Sequence, residues 1–325
     1  MNTKKRARVL VAGGGGFIGG HLIKYLKKQG YEKIRAVDIK PLSEWQQLDS
    51  KVENISLDLK DKNNCIEAVK GIDEVYNLAA DMGGIGFIEN NKASCMLSVL
   101  INTHLLLAAK NNKVKRFFFA SSACVYAADK QTETQNKGLK ESDAYPAMAE
   151  DGYGWEKLFS ERMCRHFAED FGLKTRVARF HNVYGPFGDY NTGREKAPAA
   201  LTRKIIAAEK TKKKEIEIWG DGEQTRSFMY IDDCVKGIDL IMHSNIKEPV
   251  NLGSEEMVSI NQLVEILEKI AKITVKRKYL LNAPKGVRGR SSDNTLLRKY
   301  LSWEPSISLK RGMSKLYQWI KQVEK

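Results

Sequence analysis

Seven residues, Gly13-Gly14-Gly15-Gly16-Phe17-Ile18-Gly19, constrain what this chain can become more than any other stretch of its sequence. They follow an apolar run, Arg8–Ala12 (RVLVA), that reads as a buried strand, and they open an apolar-periodic helix reaching about Gln29. Gly13, Gly16 and Gly19 stand at G-x-x-G-x-x-G spacing. Glycines so placed allow a tight turn, close backbone approach to a pyrophosphate, and helix–strand packing with the phosphate at the helix N-terminus. Asp38 ends a second strand, Ile34–Asp38, where a carboxylate can accept hydrogen bonds from an adenosine ribose. That charge would repel a 2′-phosphate, which favours NAD over NADP; Lys40 and Arg35 close by pull the other way.

The first half of the chain keeps alternating short apolar runs with helical periods, which predicts βαβ units and a parallel sheet. Val52–Leu57, Glu74–Leu78, Arg116–Ala120 and Thr175–Phe180 supply further strands, and Ala93–Lys110 and Tyr153–Phe171 fit long helices. After about residue 185 the alternation loosens into shorter segments that run to Trp319. The predicted class is α/β: a Rossmann-type doubly wound parallel sheet with a smaller C-terminal α/β substrate-binding region. Residues 1–185 are expected to hold the cofactor and residues 186–325 the substrate, the two parts interleaved.

Composition sets bounds around this reading. With 42% apolar and 29% charged residues in 325, the chain has the balance of a globular protein large enough to bury a core. No run of about 18 apolar residues suggests a membrane span, and the basic segment Met1–Arg8 lacks the apolar core of a signal peptide. Cys65, Cys95, Cys124, Cys164 and Cys234 have neither CxxC nor CxH spacing. Neither a disulfide framework nor a metal site is expected, and a cytoplasmic location with free thiols is. Lys and Arg exceed Asp and Glu by 54 to 40, a net charge of +14. The densest basic groups, Lys212–Lys214 and Lys276–Lys278, lack the interleaved aromatics of an RNA-binding module. The charge therefore reads as a solvated surface, or as a field for an anionic small molecule, and no nucleic acid or membrane partner is expected.

A second spacing adds chemistry. Tyr153 and Lys157 are four apart and share one face of a helix. A neighbouring ammonium favours the phenolate, which predicts a Tyr153 pKa below the usual value near 10. Ser121-Ser122-Ala123-Cys124-Val125-Tyr126, at the end of the fifth strand, places the Ser122 hydroxyl beside the phenol. Taken with the glycine turn, Ser122, Tyr153 and Lys157 resemble the set found in extended short-chain dehydrogenase/reductases. Asn77-Leu78-Ala79-Ala80 and Asn182-Val183-Tyr184-Gly185-Pro186 are similar to strand-end signatures of that superfamily. The resemblance covers residues 8 to 319 and implies NAD held by Gly13, Gly16, Phe17, Ile18, Gly19, Asp38, Asp58, Ala79, Tyr153 and Lys157. It also implies a nucleotide-sugar substrate and a homodimer formed through the two long helices.

Within that superfamily the position after Ser122 reads Ala123-Cys124, without the acidic residues of a dehydratase or decarboxylase. A free cysteine is most often a small buried hydrophobe, yet Cys124 lies where active-site groups of open α/β sheets collect. Gly193-Arg194-Glu195-Lys196-Ala197-Pro198-Ala199-Ala200, with DMGGIGF (81–87), RFHNVYGPFG (179–188), WGDGEQTRSF (219–228) and GVRGRSSDN (286–294), closely resembles the GDP-mannose 3,5-epimerase family. In that family the cysteine of SSAC and the lysine of REKAPAA form an acid–base pair, which maps to Cys124 and Lys196. The implied catalytic set is Cys124, Lys196, Tyr153, Lys157 and Ser122. The implied substrate contacts are Gly83, Ser122, Ala123, Cys124, Asn182, Glu195, Lys196, Ala197, Lys204, Gln224, Thr225, Arg226, Arg288 and Arg290, with the two arginines of GVRGR well spaced to bracket a diphosphate. Ala127-Ala128-Asp129 departs from the family by lacking a proline after the Val-Tyr pair. The activity this implies is conversion of GDP-α-D-mannose to GDP-β-L-galactose. The alternative is a 4-epimerase, or an epimerase acting at C3 or C5 alone, on another GDP- or UDP-sugar.

Overall fold

The computed structural model of the chain describes residues 6–135, 137–211 and 214–324. The alternating apolar runs become the strands β1 (Arg8–Ala12), β2 (Lys33–Asp38), β3 (Glu53–Ser56), β4 (Glu74–Asn77), β5 (Arg116–Ser122) and β6 (Lys174–Phe180). Shorter strands follow: β7 (Val183–Tyr184), β8 (Glu215–Trp219), β9 (Thr225–Ser227), β10 (Met229–Tyr230), β11 (Val250–Leu252), β12 (Met257–Ser259), β13 (Lys276–Leu280) and β14 (Gly289–Arg290). Seven of them form one parallel sheet in the order β11-β6-β5-β4-β1-β2-β3. The order reverses between β1 and β4, and in open α/β sheets a crevice for ligands lies beyond the strand C-termini at such a point.

The helices are α1 (Phe17–Lys28), α2 (Lys62–Val69), α3 (Ile85–Asn90), α4 (Lys92–Met96), α5 (Ser98–Asn111), α6 (Asp151–Phe171), α7 (Ala197–Thr211), α8 (Ile231–Met242), α9 (Ile260–Ala271), α10 (Thr295–Leu301) and α11 (Leu309–Val323); α1 and α8 cover one face of the sheet and α2, α5 and α6 the other, while α7, α9 and α11 pack on one another. Strand β5 shows why its run is apolar throughout. Phe117 and Phe119 pack with Leu105 and Leu106 of α5, whereas Phe118 faces the opposite core with Leu22 of α1 and Ile238 of α8. Strands buried on both faces lose the polar alternation of a half-exposed sheet. Residues beyond 185 return to this sheet, β11 extending it beside β6 and α8 packing on α1.

Three features depart from the sequence reading. The helix expected over Ala93–Lys110 is two, α4 and α5, with Leu97 closing one and opening the other. Helix α2 went unread; its start is fixed by the Asp61 carboxylate, which accepts from the N–H groups of Asn63 and Asn64. Lys92–Asn111 also reaches the length and mean hydropathy (1.4) of a membrane span, although no such run was expected. Here Ile101, Leu105 and Leu106 of that segment are buried, while Met96, Leu97, Leu100 and Leu107 stay exposed, as do Trp155 and Phe159 of the neighbouring α6. The five cysteines are all free. Of the basic groups singled out, Lys212 and Lys213 lie outside the described residues, as do Met1–Lys5 of the N-terminal segment.

Candidate active site

The glycine turn is built by positions where a side chain has no room. Gly13 has φ +84°, and its N–H and that of Gly14 donate to the Val37 carbonyl. A Cβ on Gly13 would lie 3.0 Å from the Ala79 nitrogen, so the end of β4 closes against the turn. A Cβ on Gly19 would lie 2.0 Å from the Gly13 carbonyl oxygen, so only glycine lets α1 start this close. Gly16 caps α1 without a side-chain bond, leaving the first-turn N–H groups to a phosphate. Phe17 and Ile18, both half-buried, anchor that turn to the core. The Asp38 carboxylate is buried at the end of β2, accepts the Lys40 N–H, and would lie 4.0 Å from a Cβ on Gly16. Arg35 is committed elsewhere, to Glu53 and the carbonyls of Glu67, Ala68 and Lys70, and so does not offer a 2′-phosphate site. Asp58 lies in the loop after β3, half-buried and 3.7 Å from the Lys60 ammonium. A cradle with no room for side chains and a carboxylate at the ribose position fits NAD.

Helix α6 brings the second set of groups to the same crevice. Its start is pressed against the end of β5: Glu150 N–H donates to the Cys124 carbonyl at 2.9 Å, and a Cβ on Gly154 would lie 2.3 Å from that oxygen. Tyr153 therefore sits beside the turn Ala123–Val125, hydrogen-bonded to Ser122, whose Oγ also accepts the Cys124 N–H at 3.2 Å. Lys157, one turn on, is buried with its Nζ 4.8 Å from the Phe119 ring centroid and 5.5 Å from that of Tyr153. The phenol is not lowered as expected. Burial pushes its pKa well above the usual value, nearby Cys124 and Glu156 add to this, and only the Ser122 hydrogen bond works against it.

Cys124 and Lys196 enter the crevice from different elements. Cys124 follows β5; Lys196 precedes α7, its carbonyl accepting the N–H groups of Ala199 and Ala200. Burial and the Glu150 carboxylate raise the Cys124 thiol, against Arg290 and Ser122. Burial lowers the Lys196 ammonium, against the influence of Cys124. The two proton affinities are thus drawn towards each other, the condition for either group to act as acid or base. A clasp holds the lysine's loop in place. Arg194 pairs with Asp81 (2.8 Å), stacks on the Phe87 ring (3.8 Å), and accepts the Gly84 N–H through its carbonyl (2.9 Å). Gly83 and Gly84 lie within this clasp, where Cβ atoms would lie 2.8 Å from Phe87 and 2.5 Å from the Glu195 carbonyl oxygen.

The remaining expected contacts divide into two groups. Arg290 and Arg226 belong to the inner site: Arg290 is buried against Cys124, and burial with the neighbouring Arg290 charge lowers Arg226 to about 10. Ala123 is buried in the Cys124 turn, and Ala197 and Glu195 flank Lys196. The others are tied to protein partners. Asn182 Nδ2 donates to the Ser227 carbonyl, Lys204 Nζ to that of Glu217, and Gln224 Nε2 to that of Trp219, leaving the Gln224 Oε1 buried and unpaired. Thr225 donates to the Thr134 carbonyl, and Arg288 pairs outward with Asp221 at 2.8 Å. Sequence reasoning missed Glu150 and Gln131, both bonded to Arg290, and the Asp81–Arg194 clasp.

A nucleotide cradle feeding a Ser-Tyr-Lys set at the C-terminal edge of a doubly wound sheet defines a cofactor-dependent enzyme of the short-chain dehydrogenase type. The chain belongs to the NAD dependent epimerase/dehydratase family, whose model matches residues 9–253. It is 46% identical over 329 residues to GDP-mannose 3,5-epimerase 1 of Oryza sativa subsp. japonica, covering 99% of this chain and 84% of the relative. It is 44% identical to GDP-mannose 3,5-epimerase of Arabidopsis thaliana over 98% of this chain and 83% of that one. Among solved structures, UDP-glucose 4-epimerase of Thermotoga maritima with UDP-glucose superposes with a TM-score of 0.88 at 25% identity, covering 98% of this chain and 100% of that one. UDP-glucuronic acid 4-epimerase of Bacillus cereus, in complex with UDP-glucuronic acid and NAD, gives 0.82 at 26% identity over 97% and 99%.

Proposed function

We propose that this NAD-dependent epimerase acts on GDP-α-D-mannose and inverts C3 and C5 to give GDP-β-L-galactose. The observation that carries the reading is the convergence of Cys124 and Lys196, near enough for the thiol's charge to act on the ammonium, beside the Ser122–Tyr153–Lys157 set. Inversion at C4 alone needs no second acid–base pair. The names of the 46% and 44% identical relatives point to the same substrate.

NAD, which the Gly13–Gly19 turn and Asp38 would hold, would supply reversible hydride chemistry at C4 without being consumed. Tyr153, held by Ser122, takes the proton of the C4 hydroxyl, with Lys157 Nζ 5.5 Å from its ring centroid. Once C4 is a ketone, the protons on C3 and C5 become acidic. Cys124 removes one from its face of the sugar, and Lys196 delivers one to the opposite face. Arg290, 3.6 Å from the Cys124 sulfur, lies beside any sugar atom that the sulfur reaches and, with Arg226, presents positive charge to the developing enediolate and the diphosphate. Arg288 joins them by exchanging Asp221 for a phosphate oxygen. Asn182, Lys204, Gln224 and Thr225 take the rest of the nucleotide.

We assign the exposed apolar faces of α4, α5 and α6 (Met96, Leu97, Leu100, Leu107, Trp155 and Phe159) to a homodimer, since adjacent exposed apolar side chains of this size mark an interface. Sedimentation at twice the 36.7 kDa chain mass is expected; a monomer at micromolar concentration would refute it. Free thiols support a cytoplasmic location, readable by fractionation. The similarity to 4-epimerases favours one second reading, C4 inversion of a UDP-sugar. Chromatography of incubations with GDP-mannose and with UDP-glucose separates the two. Turnover of the GDP-sugar alone is expected, and turnover of UDP-glucose alone would reject the proposal.

A further inference from the structure

The thiol of Cys124 is flanked by an ion pair of which the proton transfers above use only the arginine. Glu150 Oε2 accepts from Arg290 Nη2 at 2.6 Å, and Arg290 Nη1 donates to the Cys124 sulfur at 3.6 Å. Arg290 Nε is held at 2.6 Å by Gln131 Oε1, so the guanidinium is fixed on three sides. The Glu150 carboxylate also lies close enough to the thiol to act on its charge. The side chains of Arg290 and Glu150 are only 7% and 19% exposed. An ion pair withdrawn from water in this way adds little to stability, because desolvation offsets the attraction. Its place beside the reactive sulfur calls for a chemical reason.

We propose that Glu150 is a positioning residue of the proton-transfer pair: it fixes Arg290 against Cys124 and decides the pH at which that thiol gives up its proton. The inference rests on the reading of Cys124 as an acid–base group. Arg290 alone would draw the sulfur towards thiolate at neutral pH. Glu150 neutralises that cation and adds its own negative charge beside the sulfur, so the thiol keeps its proton to higher pH. The other groups that face the sulfur are Ser122 on β5, Tyr153 on α6, Lys196 ahead of α7 and Arg226 on β9. None of these four is a carboxylate. Glu150 is therefore the negative charge by which Arg290 can be balanced at this point, and its removal acts on the thiol twice, through its own field and through the freed arginine.

The full-length protein without substrate gives the direct test. Labelling of Cys124 by iodoacetamide, read at the Cys124 peptide by mass spectrometry from about pH 6 to 10, reports the thiol's ionisation midpoint. Glu150→Gln should lower that midpoint by about one pH unit or more, seen as roughly tenfold faster labelling near neutral pH. Glu150→Asp keeps the charge and should hold within about half a unit of the parent. An unchanged or raised midpoint in Glu150→Gln overturns the proposal, and so do equal shifts in the two variants. Circular dichroism and melting establish that each variant folds. The pH profile of solvent-deuterium exchange into GDP-mannose is then measured with the same proteins. A profile that moves with the labelling midpoint supports both readings. A moved midpoint with an unmoved profile supports Glu150's hold on the thiol and removes Cys124 from the acid–base pair.

Discussion

Gly154 offers the sharpest perturbation of the site's geometry. An alanine there puts its Cβ 2.3 Å from the Cys124 carbonyl oxygen and 3.1 Å from the carbonyl carbon, backbone atoms that cannot swing aside as a side chain can. Ordinary contact begins at 3.4 Å, so α6 and the Ala123–Val125 turn must separate by about 1 Å. Tyr153 travels with the helix and Cys124 with the turn, so the phenol leaves Ser122 and the thiol shifts against Lys196. A displacement of that size costs on the order of 10²-fold in rate. Alanine favours a helix over glycine by roughly 1 kcal/mol, which partly offsets clash strain of about 1–3 kcal/mol. The expected phenotype of Gly154→Ala is a folded protein, melting a few degrees lower, that retains NAD and turns over about a hundredfold more slowly. Product formation by NMR, NAD content after acid release and a thermal melt read the three parts separately. A variant with kcat within about threefold of the parent would refute the claim that this contact sets the site.

Removing either member of the acid–base pair, by Cys124→Ser or Lys196→Ala, should cut deuterium uptake at C3 and C5 by about 10²–10⁴-fold while NAD stays bound; near-parental uptake in both would return these residues to structural roles. Arg194→Ala breaks the clasp to Asp81 and Phe87, an exposed contact worth about 1–2 kcal/mol, so melting should barely change while kcat falls as Lys196 loses its place. Unchanged kcat would mean that the loop is held without it. Far from the site, His243 is raised to about 9: burial lowers it, but Asp239 (3.0 Å) and Glu74 (3.4 Å) outweigh burial. Its folded pKa exceeds the unfolded value near 6.5, so its stabilisation, about 3 kcal/mol, is complete below pH 6.5 and is lost as pH rises through 9. Urea unfolding from pH 6 to 10 should show that decline and His243→Gln should flatten it; parallel curves would refute the assignment.

Much of this architecture is written locally in the chain. RVLVA and RFFFA are legible as strands because both of their faces are buried, and the glycine turn because its spacing is a backbone requirement. Helix α2 (KNNCIEAV) is not, since it presents few apolar residues and begins at a side-chain cap rather than at an apolar period. Ser122, Tyr153, Lys157, Cys124 and Lys196 stand out for the same local reason, each within a short motif. The groups around Arg290 do not, because Gln131 and Glu150 lie 159 and 140 positions away in the chain and no spacing rule joins them. The phenol shows where a pairwise argument fails. A lysine four residues on predicts a lowered Tyr153, but with the phenol only 5% exposed, desolvation outweighs an ammonium 5.5 Å from its ring. The partners of Arg226 and Arg288 were likewise invisible, being backbone carbonyls and Asp221.

On the proposed function, one crevice performs a transient oxidation at C4 and proton exchange at C3 and C5. Purified protein incubated with GDP-mannose in deuterated buffer, with the product read by NMR, tests all of it at once. The expected product is a GDP-sugar carrying solvent deuterium at C3 and C5, with the original hydrogen retained at C4. A product inverted at C4, with no deuterium at C3 or C5, would contradict it.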